Sequence, residues 1–198
     1  NYLVKKPWGE EYTIFRNKKI IGVTLVKINP GKSTSLHCHP NKKTGFIILK
    51  GRPEVQIGIH EKNYWKSKPL SILVLRPGLF HSLNNPKKSE KSVYALEFET
   101  PLDKKDLIRF KDKYGRKKKG YESKKNLKKL SDDQIIFKNR GTSKIYNIFN
   151  RKIIIKSVKK KSEIKYFSNN SVTAILGGKL VDNNNQTALN FGEIIKTS

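Results

Sequence analysis

Short apolar runs separated by turn residues dominate the chain between residues 11 and 100. Strands that recur every ~8 to 12 residues are typical of β-sandwiches and barrels, and no convincing helical periodicity interrupts them. The pattern therefore predicts an all-β jelly roll. Its expected strands are Tyr12–Phe15, Ile20–Ile28, Ser33–His39, Thr44–Lys50, Glu54–Ile59, Leu70–Leu75 and Val93–Glu99.

Three of the four histidines fall in two short motifs of this region. His37 and His39 lie two positions apart on an expected strand, so both side chains leave the same face, about 7 Å apart along the backbone. His81 follows a turn at Pro77 and Gly78. Three neutral imidazoles that converge inside a barrel predict a divalent transition-metal site with open positions. Imidazole suits Zn, Fe, Mn and Ni, and the sequence leaves this choice open.

The two motifs resemble those of the cupin superfamily. The matching residues are Gly31, His37, His39 and Gly51 in the first motif, and Pro77, Gly78, His81 and Asn85 in the second. The resemblance implies a cupin barrel with the three histidines as metal ligands. One position departs from the family: the acidic ligand falls on Thr44, or on Lys43 with the shorter spacing. The fourth protein ligand is therefore not assigned.

A narrower resemblance is to cupins of the mannose-6-phosphate-isomerase-like group. It is carried by Lys6–Gly9, by the sequences around the two histidine motifs, and by Asp106–Arg109 with the residues after it. This resemblance implies a metal-binding cupin that acts as an isomerase or epimerase on a phosphorylated sugar or nucleotide sugar in surface polysaccharide biosynthesis. Two alternatives stay open: a non-catalytic cupin that binds an anionic sugar, and a three-histidine non-haem iron dioxygenase.

Several charged residues near the motifs are candidates for substrate contact or catalysis. Lys42, Lys43 and Arg76 are expected to hold a phosphate or carboxylate of the substrate, because these cations lie beside the histidine motifs. Glu97 is the first choice for a general base, with Lys43 as a second catalytic candidate, and Glu99 shares its strand face. The competing interpretation is ordinary solvated lysines and a surface pair of carboxylates on an edge strand.

The chain is expected to divide into three parts, with a barrel over residues 1–100. Residues 101–133 read as a basic connector with one or two helical turns, since apolar residues recur at i, i+3 and i+7 from Leu107. Residues 134–198 read as a degenerate, partial second cupin-like repeat without histidine, packed on the barrel or on a neighbouring copy. Its expected strands are Ile145–Phe149, Lys152–Val158, Ile164–Phe167 and Val172–Leu176.

The formal charge of +27 favours an anionic partner, and residues 104–129 hold 13 lysines and arginines against three acids. Lysine bias over the whole surface is the competing explanation. Nucleic acid is the lesser expectation, because the basic segment has few aromatic residues and no known module. A single cysteine, Cys38, favours a reducing, cytoplasmic setting, and no apolar run suits a membrane span. We expect a small anionic substrate and a homodimer.

Overall fold

The computed structural model describes residues 2–121, 126–138, 143–160, 163 and 170–196, so the expected strand at Ile164–Phe167 lies outside the described residues. Strands account for nearly all of the regular structure in these ranges. They are β1 (Tyr2–Lys6), β2 (Gly9–Asn17), β3 (Ile21–Ile28), β4 (Leu36–Cys38), β5 (Lys43–Lys50), β6 (Glu54–Ile57), β7 (Tyr64–Lys66), β8 (Ile72–Leu75), β9 (His81–Asn84), β10 (Val93–Thr100), β11 (Ile108–Lys111), β12 (Leu127–Lys129), β13 (Lys144–Ile148), β14 (Arg151–Ile155), β15 (Val172–Ala174), β16 (Lys179–Val181), β17 (Thr187–Asn190) and β18 (Ile194–Lys196).

Two antiparallel sheets form the barrel and confirm the predicted all-β cupin jelly roll. One has seven strands in the order β12-β1-β2-β3-β10-β5-β8, and the other has five in the order β11-β4-β9-β6-β7. Apolar side chains from both sheets, including Val26, Phe46, Val55 and Leu83, pack in the barrel interior together with Trp8 from the turn between β1 and β2. Because side chains alternate along each strand, polar residues two positions from these, such as Thr24 and Thr44, face the same interior and can build a site there.

The outer face of the seven-stranded sheet is covered by residues from the last third of the chain. Phe137, Ile148 and Ile194 are buried in one apolar cluster with residues of β2, β3, β5 and β10. The described strands of this region form two-stranded antiparallel sheets, β13-β14, β15-β18 and β16-β17. Gly45 shows how closely they approach, since a Cβ atom there would lie 2.6 Å from Cδ1 of Ile194. The seven-stranded sheet is therefore buried on both faces. That residues 134–198 are a second cupin-like repeat stays a prediction.

The prediction of helical turns after residue 101 is wrong. The chain forms β11 instead, and Ile108 and Arg109 pair with Cys38 and His37 of β4. The i, i+3, i+7 spacing from Leu107 is too short a pattern to outweigh the backbone hydrogen bonds that an open sheet edge offers. Asp103 caps no helix; its carboxylate accepts a 2.8 Å hydrogen bond from the Lys105 amide in a turn. In the described residues no helix is long and apolar enough to cross a membrane.

Candidate metal centre

The three histidines of the two motifs meet at one point inside the barrel. His37 on β4 is the register partner of His81 on β9, and His39 follows directly after β4. The ring centroids lie 4.5 Å apart for His37 and His81, 5.0 Å for His37 and His39, and 5.3 Å for His39 and His81. One potential ligand atom from each ring lies within 4.8 Å of the other two. The predicted convergence is therefore present.

A turn at Gly78 brings the second motif to the first. Its φ of 78° is in the left-handed region that glycine adopts without strain. The Gly78 amide donates a 2.8 Å hydrogen bond to the carbonyl of His39. The backbone then enters β9 with His81 facing the barrel interior, where its residue is 1% exposed.

Each imidazole is held by its Nδ1 atom on a main-chain carbonyl. Nδ1 of His37 donates to the carbonyl of Ser35 at 2.8 Å, that of His39 to Asp106 at 2.6 Å, and that of His81 to Leu79 at 3.0 Å. A carbonyl oxygen only accepts, so the proton is on Nδ1 and the lone pair is on Nε2. Nε2 of His39 and of His81 is buried without a hydrogen-bond partner. Buried imidazole nitrogens in this state fit a divalent metal ion.

Burial keeps the three rings neutral. Desolvation, followed by the charge of Lys42, lowers the pKa of His39 to about 4, and desolvation, followed by His39 and Lys42, lowers that of His81 to about 3. The pKa of His37 is held well below its usual range by desolvation and by His81. Neutral imidazole is the form that binds metals. The site is therefore in its metal-binding protonation state at neutral pH.

Among the described residues no carboxylate or thiol joins this cluster. Thr44, at the position where the family motif has its acid, is 1% exposed on β5, and its Oγ1 has no hydrogen-bond partner. A hydroxyl is a weaker ligand than a carboxylate and carries no charge. The cluster offers three imidazole nitrogens, a donor set that suits a transition metal better than Mg²⁺ or Ca²⁺.

Glu97 faces the histidines from the opposite sheet. It lies on β10, between β3 and β5, and it lines the same cavity as His37 and His39. Desolvation, followed by the charge of Glu99, raises its pKa to about 7. No hydrogen bond or ion pair from the described residues engages its carboxyl group. The interpretation of Glu97 and Glu99 as an edge-strand surface pair is wrong, because β10 is internal and Glu99 is 1% exposed.

Glu99 is the charged centre of the cavity wall. Its Oε1 accepts from Nζ of Lys42 at 2.5 Å, and its Oε2 pairs with Nζ of Lys104 and accepts from Thr24 at 3.3 Å. The two ammonium groups lower the pKa of Glu99 to about 2 despite its burial. Two neighbouring carboxyl groups thus have widely separated pKa values: Glu99 is ionised at neutral pH, whereas the pKa of Glu97 is itself near 7. Such a separation is typical of sites that divide acid and base roles.

The other cations of the cavity lie on segments that no sequence motif connects with the histidines. Lys6 on β1 pairs with Glu11 at 3.3 Å and lies 3.9 Å from the ring centroid of Tyr121. Lys104 lies 6.0 Å from the same ring. Arg109, on β11, also lines the cavity, and its Nη1 donates to the carbonyl of Gly120 at 3.0 Å. Sequence spacing held no signal for these residues, which long-range strand pairing brings to the histidines.

The predicted substrate residues separate into two positions. Lys42 is inside, 2% exposed and paired with Glu99. Lys43 and Arg76 do not line the cavity, and Arg76 is exposed. Thr44 is the register partner of Leu75, so Lys43 and Arg76 lie next to each other where β5 begins and β8 ends, and strand alternation places both on the outer face of the sheet. This end of the sheet adjoins the metal centre, because the Gly78 amide bonds to the carbonyl of His39.

Comparison with known proteins finds a matching family and several relatives. A family described as mannose-6-phosphate isomerase C-terminal matches residues 2–112. A mannose-1-phosphate guanylyltransferase of Klebsiella pneumoniae is 26% identical over 113 residues, which are 57% of this chain and 23% of that protein. The xanthan biosynthesis protein XanB of Xanthomonas campestris pv. campestris is 27% identical over 113 residues, with the same shares of each chain.

Solved structures with a similar barrel include the capsular polysaccharide assembling protein CapF from Staphylococcus aureus. It has a TM-score of 0.48 and 13% identity over 56% of this chain and 34% of that chain. KdgF from Halomonas sp. has a TM-score of 0.45 and 14% identity, covering 52% of this chain and 89% of that one. The chain spans less than a quarter of the length of the two curated relatives that it matches.

Proposed function

Since this chain belongs to the mannose-6-phosphate isomerase C-terminal family, we propose that its barrel is a metal-dependent isomerase or epimerase. Its substrate is a phosphorylated sugar or nucleotide sugar used in surface polysaccharide biosynthesis. The relatives named for mannose-1-phosphate guanylyl transfer and xanthan biosynthesis support this setting. One observation carries the proposal: two imidazoles of the three-histidine cluster, His37 and His39, line the same cavity as Glu97, a carboxyl group whose pKa is near 7.

His37, His39 and His81 would hold the metal ion, because the Nδ1 atom of each ring is already bonded to a carbonyl. Zn, Fe, Mn or Ni would each suit three imidazoles. A divalent ion bound there supplies Lewis acidity, which polarises a carbonyl and the hydroxyl beside it. The Nδ1 hydrogen bonds keep the rings in one tautomer and one orientation, so little reorganisation is needed on binding.

Glu97 is the proposed base. A carboxylate with a pKa of about 7 removes a proton from the carbon next to a sugar carbonyl. In an isomerisation it returns this proton to the carbonyl carbon while the hydroxyl proton passes to the former carbonyl oxygen, and in an epimerisation it returns the proton to the other face of the same carbon, so neither reaction needs an external oxidant or reductant. Glu99 stays ionised between Lys42 and Lys104 and raises the pKa of Glu97 by charge repulsion. Lys42 thus acts on the base through Glu99.

The phosphate is proposed to lie at the end of the sheet where Lys43 and Arg76 are neighbours. A guanidinium binds phosphate with two parallel hydrogen bonds, and an ammonium adds a point charge. Lys43 would then position substrate, with Glu97 as the group that moves the proton.

The test is turnover of phosphosugars by protein loaded in turn with Zn²⁺, Mn²⁺, Fe²⁺ or Ni²⁺. Proton NMR in D₂O follows both the product and the exchange of the carbon-bound hydrogen. We expect activity with one metal, its loss on chelation, and a decrease of at least about 100-fold in Glu97→Gln with metal binding retained. The matched control Glu90→Gln alters an exposed acid on the loop before β10. Full turnover after chelation, or in Glu97→Gln, would contradict the proposal.

A second function, binding of an anionic sugar without catalysis, is favoured by Thr44. The position aligned with the family acid offers only an unbonded hydroxyl. Lys6, Lys42, Lys104 and the two arginines of the lining still outnumber its three glutamates. This function predicts a rise in melting temperature with a phosphosugar, but neither product nor deuterium incorporation, under every metal condition.

A further inference from the structure

A second cavity lies on the outer face of the seven-stranded sheet, on the side away from the histidines. Its floor is built by three adjacent strands. Tyr12 of β2 is the register partner of Leu25 on β3, and Lys27 of β3 pairs with both Glu10 and Tyr94. Its roof comes from residues 133–135 and 147–149. The volume of about 350 Å³ is within the usual range for small-molecule sites.

Strand alternation separates this groove from the metal centre. On β2, Glu11 lines the histidine cavity, whereas Glu10 and Tyr12 on either side of it line the outer groove. Neighbouring residues of a strand point to opposite faces. The two cavities thus share one sheet but no side chain.

The groove combines aromatic rings with planar hydrogen-bonding groups. Tyr94 and Phe149 form an aromatic pair with centroids 4.1 Å apart, and Tyr12 lies in the floor. At the rim, the carboxylate of Asp133 and the amide of Asn147 have no hydrogen bond or ion pair from the described residues. Gln134 accepts a 2.9 Å hydrogen bond from the Ser131 amide through Oε1, so its amide hydrogens remain to donate.

The hydroxyl of Tyr12 is held as a donor. Burial, together with the charges of Asp133 and Glu10, raises the pKa of Tyr12 to about 12. The groove therefore offers a carboxylate acceptor, amide donors and acceptors, and a phenol beside apolar ring surface. A sugar unit has the complementary composition, with hydroxyls around its edge and C–H groups on its faces.

We propose that this groove binds an uncharged sugar unit of a glycan, with Asp133 and Asn147 bonding to hydroxyls and Tyr94 packing on the ring. The charges around the groove disfavour anionic and cationic ligands. Two of its charged groups, Glu10 and Lys27, form a 3.2 Å pair, and the charge of Asp133 remains to repel an anion. A cation is disfavoured by Lys50 beside the groove, whose Nζ lies 5.3 Å from the Phe149 ring centroid.

The test uses the full chain and four defined probes: maltohexaose, mannohexaose, chitohexaose and glucosamine. Isothermal titration calorimetry measures affinity, and saturation-transfer NMR identifies which sugar protons contact protein. We expect saturable binding of at least one neutral hexasaccharide with a Kd below about 10 mM. A variant carrying both Asp133→Ala and Asn147→Ala is expected to bind about tenfold more weakly. Both positions are exposed, so the fold is retained.

Two controls separate this groove from the histidine cavity. Asp132→Ala removes an exposed acid beside Asp133 that does not line the groove, and it should leave the affinity unchanged. Chelation of metal should also leave it unchanged. The inference is overturned if no hexasaccharide saturates, if the double variant binds as the parent does, if chelation abolishes binding, or if only glucosamine binds.

Discussion

Nδ1 of His39 donates a 2.6 Å hydrogen bond to the main-chain carbonyl of Asp106, 67 residues further along the chain. The Asp106 carboxylate accepts from the amides of Asn41, at 3.0 Å, and Lys42, at 2.9 Å. One residue therefore fixes both the ring of a proposed ligand and the loop that follows it. Asp106 positions the metal centre without belonging to it.

Replacing Asp106 by alanine should release this loop and weaken metal binding. We expect a loss of affinity of about 10- to 100-fold, the range found when groups that orient metal ligands are removed. Competition with a chromophoric chelator measures it for Zn²⁺ or Co²⁺. Asp103→Ala is the matched control, since Asp103 is exposed and its carboxylate caps only a turn. Equal affinity in the two variants would argue against the positioning role.

Alanine at His37 or His81 should abolish stoichiometric metal binding. Each substitution removes one of three nitrogen donors, and a loss of at least about 100-fold in affinity follows if all three bind the ion. His60→Ala is the control, because His60 is exposed and outside the cluster. Elemental analysis after dialysis gives the stoichiometry. Retention of one metal per chain in His81→Ala would show that the ion binds elsewhere.

Acid should destabilise the metal-free protein through its histidines. The folded pKa values of His39 and His81, about 4 and about 3, are below the ordinary value of 6.5. Between the folded pKa values and pH ~6.5, the unfolded chain therefore binds more protons than the folded chain. The histidine contribution to the free energy of unfolding is complete above pH ~6.5 and is lost as the pH falls toward 4 and 3. Urea unfolding across this range measures it, and His81→Asn should reduce the slope.

Glu97 should show the opposite dependence. Its folded pKa of about 7 is above the ordinary 4.5, so its contribution is complete below pH ~4.5 and is lost as the pH rises through 7. Glu97→Gln removes the buried charge. It should increase the free energy of unfolding by about 1 to 3 kcal/mol at pH 8 and little at pH 5. An equal effect at both pH values would show that Glu97 is not titrating there.

Loss of Glu99 should be severe. Glu99→Gln leaves Lys42 and Lys104 without the carboxylate that both contact, and breaking a buried ion pair costs about 3 to 5 kcal/mol. Glu61→Gln is the control, because the Glu61–Lys111 pair is exposed and surface pairs stabilise little. Chemical denaturation at neutral pH compares the variants. Similar midpoints for both would mean that the interior lysines find other partners.

The sequence was sufficient for the barrel and its histidines because both depend on local rules. Alternation places His37 and His39 on one face, and the turn at Gly78 introduces His81. Glu97 was also found, since its strand follows the second motif. Arg109 was not found, because only the pairing of β11 with β4 brings it to the cavity, and Lys104 was not found, because it reaches Glu99 from the turn that precedes β11. No local pattern encodes a contact that depends on which sheet edge is left open.

The alternation of Glu10, Glu11 and Tyr12 along β2 has a further consequence. A one-residue insertion ahead of them would turn every following side chain of the strand to the other face. Glu11 would leave Lys6, while Tyr12 would enter the charged interior. Both cavities would fail together, although no residue belongs to both. A length change that is not absorbed by a bulge therefore disturbs both cavities at once, whereas a replacement in this strand alters one face only.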